Sequence, residues 1–172
     1  NVELMLEVME RLDYSIIFAN TLGGPDAVRY FRKLTGDTYM VWAHGDGTFA
    51  IPDGTSMLEM SYRIADEPEK MHAEAQAKAT QAIENAKAWR EAGADVFILC
   101  DDYCFNTGPF FSPSQFREFV TPYLAKIIAA ERALGAYVVK HTDGNIMPII
   151  DQLVECNPHG LHSLDPMAGV DI

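Results

Sequence analysis

Apolar residues along the chain follow two alternating patterns from Ser15 onward. Short apolar runs predict strands, and between them apolar residues recur every three or four positions, which predicts helices. The predicted strands are residues 15–19, 39–43, 96–100, 137–141 and 160–164. The run at 96–100 (VFILC) is wholly apolar, as expected of a parallel strand that is covered on both faces. The alternation predicts about four βα steps and an α/β fold.

Capping residues predict where two of the helices begin. Asp66 with Glu69 three residues later has the spacing of a capping box, and an alanine-rich helix follows to about Glu91. Ser112 with Gln115 has the same spacing before a second apolar-periodic segment. Pro122 lies inside that segment and predicts a bend or the loss of one backbone hydrogen bond.

The length of the chain limits which α/β fold it can form. A closed (β/α)₈ barrel needs at least about 200 residues, and the chain has 172. We therefore expect residues 1–172 to form a single domain that is a partial segment of a TIM barrel. A complete doubly wound open sheet is the alternative. It is disfavoured because the glycine pair after Leu22 is too short for a nucleotide-binding loop.

Composition and charge exclude several classes of function. The net charge of −12 opposes binding to nucleic acid, and no apolar run approaches the roughly 20 residues that a membrane-spanning helix needs. Three cysteines without a CxxC pair argue against a disulfide framework and favour a cytoplasmic protein. The first residues lack a methionine and the pattern of a signal peptide, so we expect an internal start.

Polar side chains follow the predicted strands at the positions where a barrel carries its catalytic groups. They are Asn20 and Thr21; Asp101, Asp102, Tyr103 and Cys104; His141, Thr142 and Asp143; and His162, Ser163 and Asp165. The adjacent carboxylates Asp101 and Asp102 repel each other, so one could hold a proton or both could face a cation. Alternatively, they accept hydrogen bonds from loop backbone N–H groups.

Two His-x-Asp pairs have the spacing of residues that share a cation. His141 and Asp143 lie on the same side of an extended segment, which suits joint metal ligation or a histidine oriented by its carboxylate. Asp143 could instead form the turn before Gly144. In the glycine-rich segment around His44 and Asp46 we favour turn-forming residues.

Three segments resemble the uroporphyrinogen decarboxylase superfamily. They are residues 93–102 (GADVFILCDD) with 111–123 (FSPSQFREFVTPY), residues 135–144 ending in KHTDG, and residues 165–171 (DPMAGVD). The resemblance covers residues 66–172 and is faint before them. It implies a (β/α)₈ barrel enzyme with one of two activities: cofactor-free decarboxylation of uroporphyrinogen, or zinc-dependent methyl transfer involving corrinoid proteins and thiols.

The motif at the His141 strand distinguishes these activities in part. The methyltransferases are similar here to His-x-Cys-Gly, in which the histidine and cysteine bind zinc, and in this chain Asp143 stands at the cysteine position. An oxygen ligand gives a harder zinc site than a thiolate, which suits a substrate other than a simple thiol. The decarboxylases are similar to Phe-Asp-Ser-Trp where this chain has residues 100–103 (CDDY).

The resemblance therefore implies a methyltransferase or a carboxy-lyase of this superfamily. We favour zinc-assisted methyl transfer between a small methylated substrate and a corrinoid protein, with His141 and Asp143 as metal ligands and Asp101, Asp102 and Tyr103 as catalytic residues. A uroporphyrinogen decarboxylase of porphyrin biosynthesis, which would need no cofactor, is the alternative, and a non-catalytic barrel that binds a small molecule is the second. A homodimer is compatible with these assignments.

Overall fold

The computed structural model describes residues 2–171, and Asn1 and Ile172, at the ends of the predicted domain, lie outside the described residues. The helices are α1 Val2–Leu12, α2 Ala19–Leu22, α3 Pro25–Thr35, α4 Met57–Asp66, α5 Pro68–Ala92, α6 Pro113–Phe119, α7 Thr121–Ala133 and α8 Ile150–Glu155. The strands are β1 Ile16–Phe18, β2 Met40–His44, β3 Val96–Leu99, β4 Cys104–Phe105, β5 Gly108–Pro109, β6 Tyr137–His141 and β7 Gly160–His162. Short 3₁₀ turns at Met147–Ile149 and Pro166–Ala168 precede α8 and follow β7.

Five strands form a parallel sheet in the order β1-β2-β3-β6-β7. In the register of this sheet His44 pairs with Ile98, Ile98 with Val139, and His141 with His162. Every parallel strand therefore ends at the same edge, called here the rim. The predicted strands are all present, and the hairpin β4–β5 adds a pair of short strands in the loop after β3.

The helices pack in the same order as the strands, with α3 against α5 and α5 against α7. Along β2, Val41 and Ala43 are fully buried, whereas Met40 and His44 on the opposite face are exposed. The first strand shows the same contrast between Ile17, which is buried, and its neighbours. A sheet with helices over one face is the wall of a barrel, whereas a doubly wound sheet is covered on both faces.

One of the two predicted capping boxes forms. The Ser112 hydroxyl accepts from the backbone N–H of Gln115, and the Gln115 side chain accepts from the Ser112 N–H. The other prediction is wrong: Asp66 is the last residue of α4, Glu67 is the N-cap of α5, and no side chain caps this helix. Because α4 runs almost directly into α5, Asp66 is already helical and cannot adopt the extended N-cap conformation.

Pro122 divides the predicted helix after Ser112 in two. The first part, α6, ends at Phe119, and Pro122 lies in the first turn of α7, where its missing N–H leaves no bond unmade. The predicted helix at residues 146–154 begins as a 3₁₀ turn around Pro148 and becomes α-helical at Ile150.

Glu131 of α7 is an acidic residue in the interior. It is 0% exposed, and neither carboxylate oxygen has a hydrogen-bond partner among residues 2–171. The carboxylate packs against Gly45, where a Cβ atom would collide with it. Burial, and to a smaller extent the charge of Asp46, raise the pKa of Glu131 to about 9. Glu131 is therefore uncharged at neutral pH.

The buried proton of Glu131 makes stability depend on pH. Between pH 4.5, the ordinary pKa of a glutamate, and about 9, the unfolded chain releases this proton and the folded chain keeps it. The free energy of unfolding therefore falls as pH rises through this window, by up to about 1.4 kcal/mol per unit. We expect Glu131→Gln to remove this fall, so that its stability relative to wild type increases between about pH 5 and pH 8. Urea unfolding with a chelator present measures this.

The matched control is Glu91→Gln near the end of α5, because Glu91 is exposed. Its stability relative to wild type should not change with pH across the same range. A Glu131→Gln variant that follows the wild-type pH dependence would contradict the assignment of a buried proton to Glu131.

Candidate metal centre

Three predicted site residues meet at the rim, at the ends of β3 and β6. The Nε2 atom of His141 lies 3.7 Å from Asp102 Oδ1 and 3.8 Å from Asp143 Oδ1. All three ligand atoms lie within 4.8 Å of one another. The Asp143 backbone N–H donates to Asp102 Oδ1 at 2.8 Å, and this bond joins the two loops. His141 and the aspartate pair therefore lie on one rim, and their role as site residues remains a prediction.

The second ring nitrogen of His141 is held by His162, which ends the neighbouring strand β7. The two Nδ1 atoms are 2.8 Å apart, so one ring donates to the other. If His141 is the donor, its Nε2 carries a lone pair directed toward the two carboxylates. Metal-binding histidines are commonly oriented in this way through their other nitrogen.

The donor set fits a divalent cation. In a tetrahedral zinc site with bonds of about 2 Å, neighbouring ligand atoms are roughly 3.3 Å apart, so small side-chain movements would suffice here. The His141 side chain is 18% exposed, compared with 43% for Asp102 and 65% for Asp143. The described residues supply three ligand atoms, and a catalytic zinc site keeps a fourth position for water or substrate.

Asp101 and Tyr103 face a different environment from Asp102. Asp101 Oδ2 accepts from the backbone N–H and the hydroxyl of Thr48, both at 2.9 Å. The Tyr103 hydroxyl lies 2.7 Å from the Thr48 hydroxyl, and Tyr103 is 1% exposed. Burial raises the pKa of Tyr103 well above its ordinary value, so it stays a phenol. The geometry favours a positioning role for both residues, and their catalytic role remains a prediction.

Lys140 supports the rim from its helix-covered side. It is 0% exposed, and its Nζ atom donates to the carbonyl oxygens of Leu99 at 3.1 Å and Asp101 at 2.7 Å. The same atom lies 4.1 Å from the centre of the Tyr103 ring. Burial lowers the pKa of Lys140 to about 8, which leaves it mainly protonated at neutral pH. Lys140 was not among the residues predicted from the sequence. A lysine that follows two valines and precedes a rim histidine is nevertheless unusual in a buried strand.

The cysteines differ from one another in their surroundings. Cys104 and Cys156 are buried, and burial raises their pKa values to about 12 and about 11. Cys100 is half-buried at the end of β3. It lies with His44 and Asp46 in a second group whose ligand atoms are within 4.8 Å of one another. The expectation that His44 and Asp46 serve only a turn did not anticipate this group.

A model of the uroporphyrinogen decarboxylase (URO-D) family matches residues 52–171, which is more than half of the chain. The chain belongs to the uroporphyrinogen decarboxylase family. No curated protein matches the chain significantly.

A solved structure of a methyltransferase from Methanosarcina mazei has the same fold as this member of the URO-D family. The TM-score is 0.64 at 21% sequence identity, and the match covers 80% of the present chain. The chain spans 40% of the length of that methyltransferase. Together with the parallel sheet, this match confirms that the chain is a partial TIM barrel. None of the helices in residues 2–171 is both long and apolar enough to cross a membrane.

We expect the Thr48 hydroxyl to stabilise the loop after β3, which carries Asp101 and Tyr103. Thr48→Val keeps the size of the side chain but removes the hydroxyl, which leaves the buried Tyr103 phenol without its partner. We expect the free energy of unfolding, measured in urea, to fall by about 1–3 kcal/mol. Thr48→Ser keeps the hydroxyl and should lose about 1 kcal/mol, the cost of one buried methyl group. Equal stability of Thr48→Val and wild type would refute this role.

Proposed function

We propose that this URO-D family member catalyses metal-assisted methyl transfer between a small methylated substrate and a corrinoid protein. Zinc would be held by His141 and Asp143, with Asp102 as a third ligand. The observation that carries the proposal is the position of His141 Nε2 between two carboxylates at an open rim. The printed description of the Methanosarcina mazei structure as a methyltransferase supports the reaction class.

The reaction moves a methyl group between a substrate heteroatom and the reduced cobalt of the corrinoid partner. The carbon–heteroatom bond breaks with its electron pair on the heteroatom, which takes up a proton, and a cobalt electron pair forms the new bond to carbon. Bound zinc would supply Lewis-acid stabilisation of the heteroatom. His162 holds the His141 ring in place, and the bond from the Asp143 N–H to Asp102 keeps the two carboxylates side by side.

The charges near the rim weigh against decarboxylation of a substrate with many carboxylates. Such a substrate calls for arginine and lysine in its pocket. Each arginine of the described chain bonds to a partner away from the rim cluster; Arg32, for example, binds Gly93 and Asp95 before β3. Lys140 is committed to two backbone carbonyls on the helix side. The cluster itself is acidic and suits a cation.

Metal binding by His141 is the first test. We expect His141→Ala to lower the zinc content of the intact protein by one equivalent relative to wild type, because it removes the central ligand. Elemental analysis after equilibrium dialysis measures this. His72→Ala is the control, since His72 lies on α5 and bonds to Tyr123.

The same variants test the reaction. Methylation of reduced cobalamin by a panel of methylated amines, ethers and thioethers can be followed by absorbance. We expect a rate loss of at least about 100-fold in His141→Ala and none in His72→Ala. Turnover of uroporphyrinogen without bound metal would contradict the proposal and establish the decarboxylase. Retained ligand binding without either activity would indicate a non-catalytic barrel.

His162 should act on the metal through His141. We expect His162→Ala to weaken zinc binding by about 10–100-fold, the usual effect of losing a group that orients a ligand. His162→Gln, which can still accept or donate at this position, should recover part of the affinity. Competition with a chromophoric chelator measures both, and unchanged affinity in His162→Ala would refute the orienting role.

A further inference from the structure

A second group of metal-binding side chains lies at the ends of β2 and β3. It consists of His44, Asp46 and Cys100, whose ligand atoms are within 4.8 Å of one another. His44 pairs with Ile98 in the sheet, so His44 and Cys100 project from the same face of neighbouring strands. By the register of β3 and β6, this is also the face that carries His141. The group therefore opens toward the same side of the sheet as the first cluster.

Asp46 is held by the backbone through one of its oxygens, and the other faces His44. Its Oδ1 atom accepts from the Asp101 N–H at 2.8 Å, and its Oδ2 atom is 3.4 Å from His44 Nδ1. A carboxylate fixed in this way can present Oδ2 to a cation without losing its contact to the backbone. The side chains of His44 and Asp46 are 42% and 27% exposed, so a cation could reach them from solvent.

Close packing fixes the loop that carries Asp46. A Cβ atom on Gly45 would collide with the carboxylate of Glu131, and one on Gly47 would collide with Ala82. Neither glycine has a positive φ, so both are needed for the lack of a side chain and not for an unusual backbone. The loop is thus pressed against α5 and α7, and its aspartate is preorganised.

The ligand chemistry of this group differs from that of the first cluster. It contains a thiol beside an imidazole and a carboxylate, a combination that suits zinc. Burial raises the pKa of Asp46, as does the nearby charge of Asp101, and burial followed by the charge of Asp46 raises the pKa of Cys100 to about 11. A divalent cation would relieve this repulsion and displace the thiol proton.

We propose that His44, Asp46 and Cys100 form a second zinc site, next to the site at His141 and distinct from it. Residues Cys100, Asp101 and Asp102 connect the two. Cys100 belongs to the second site, Asp102 to the first, and Asp101 between them is turned toward Thr48. The rim then holds a softer cation site with a thiolate ligand beside a harder one with oxygen ligands.

Cobalt(II) distinguishes the two sites because only the second offers a thiolate. Titration of the metal-free intact protein with cobalt(II) should produce a thiolate-to-cobalt charge-transfer band in the near ultraviolet. We expect the band in wild type and in His141→Ala, and its loss in Cys100→Ser. Cys104→Ser is the matched control and should keep the band, because Cys104 is buried in β4.

Zinc stoichiometry provides a second readout that does not depend on the thiol. Wild type should bind two equivalents, and His44→Ala and His141→Ala one each. Since His44 is exposed, its replacement should leave the fold intact. Absence of the band in wild type, its persistence in Cys100→Ser, or its loss in His141→Ala would overturn the proposal, the last by indicating a single shared site. Loss of methyl transfer alone would not, because these readouts do not use activity.

Discussion

Strand β3 pairs with β2 on one side and with β6 on the other, and the candidate centre depends on this parallel pairing. The register aligns His44, Ile98 and Val139 at one level of the sheet. Side chains that follow β3 and β6 are therefore brought to one edge, although some 40 residues separate Asp102 from His141. All four residues of β3 lie in the interior, where close packing restricts their side chains.

Acidic side chains dominate the charge at this edge of the sheet. The carboxylates of Asp46, Asp101 and Asp102 interact electrostatically with the buried ammonium of Lys140, and Asp143 lies beside Asp102. Lys140 faces the helices and binds carbonyl groups, so it offsets the charge without occupying the open side. The open side remains acidic and is suited to cations, whereas Glu131 avoids adding a further charge by keeping its proton.

Much of this arrangement could be predicted from the sequence, since short apolar runs gave the parallel strands and the polar residues after them gave the rim. The same capping-box spacing forms a capping box at Ser112 and none at Asp66. Ser112 follows non-helical chain, whereas Asp66 is the last residue of α4. The roles of Thr48 and Cys100 could not be predicted, because their partners approach through tertiary packing of the loop after β2. The spacing of residues in the sequence does not predict such tertiary contacts.

Binding of one metal ion by Asp102, His141 and Asp143 is the central feature of the proposed site. The most direct measurement is an anomalous difference map, recorded at the zinc absorption edge from crystals of the intact protein equilibrated with zinc. We predict a peak at bonding distance, about 2 Å, from His141 Nε2 and from carboxylate oxygens of both aspartates. Crystals saturated with zinc that show no peak between these three residues would contradict it.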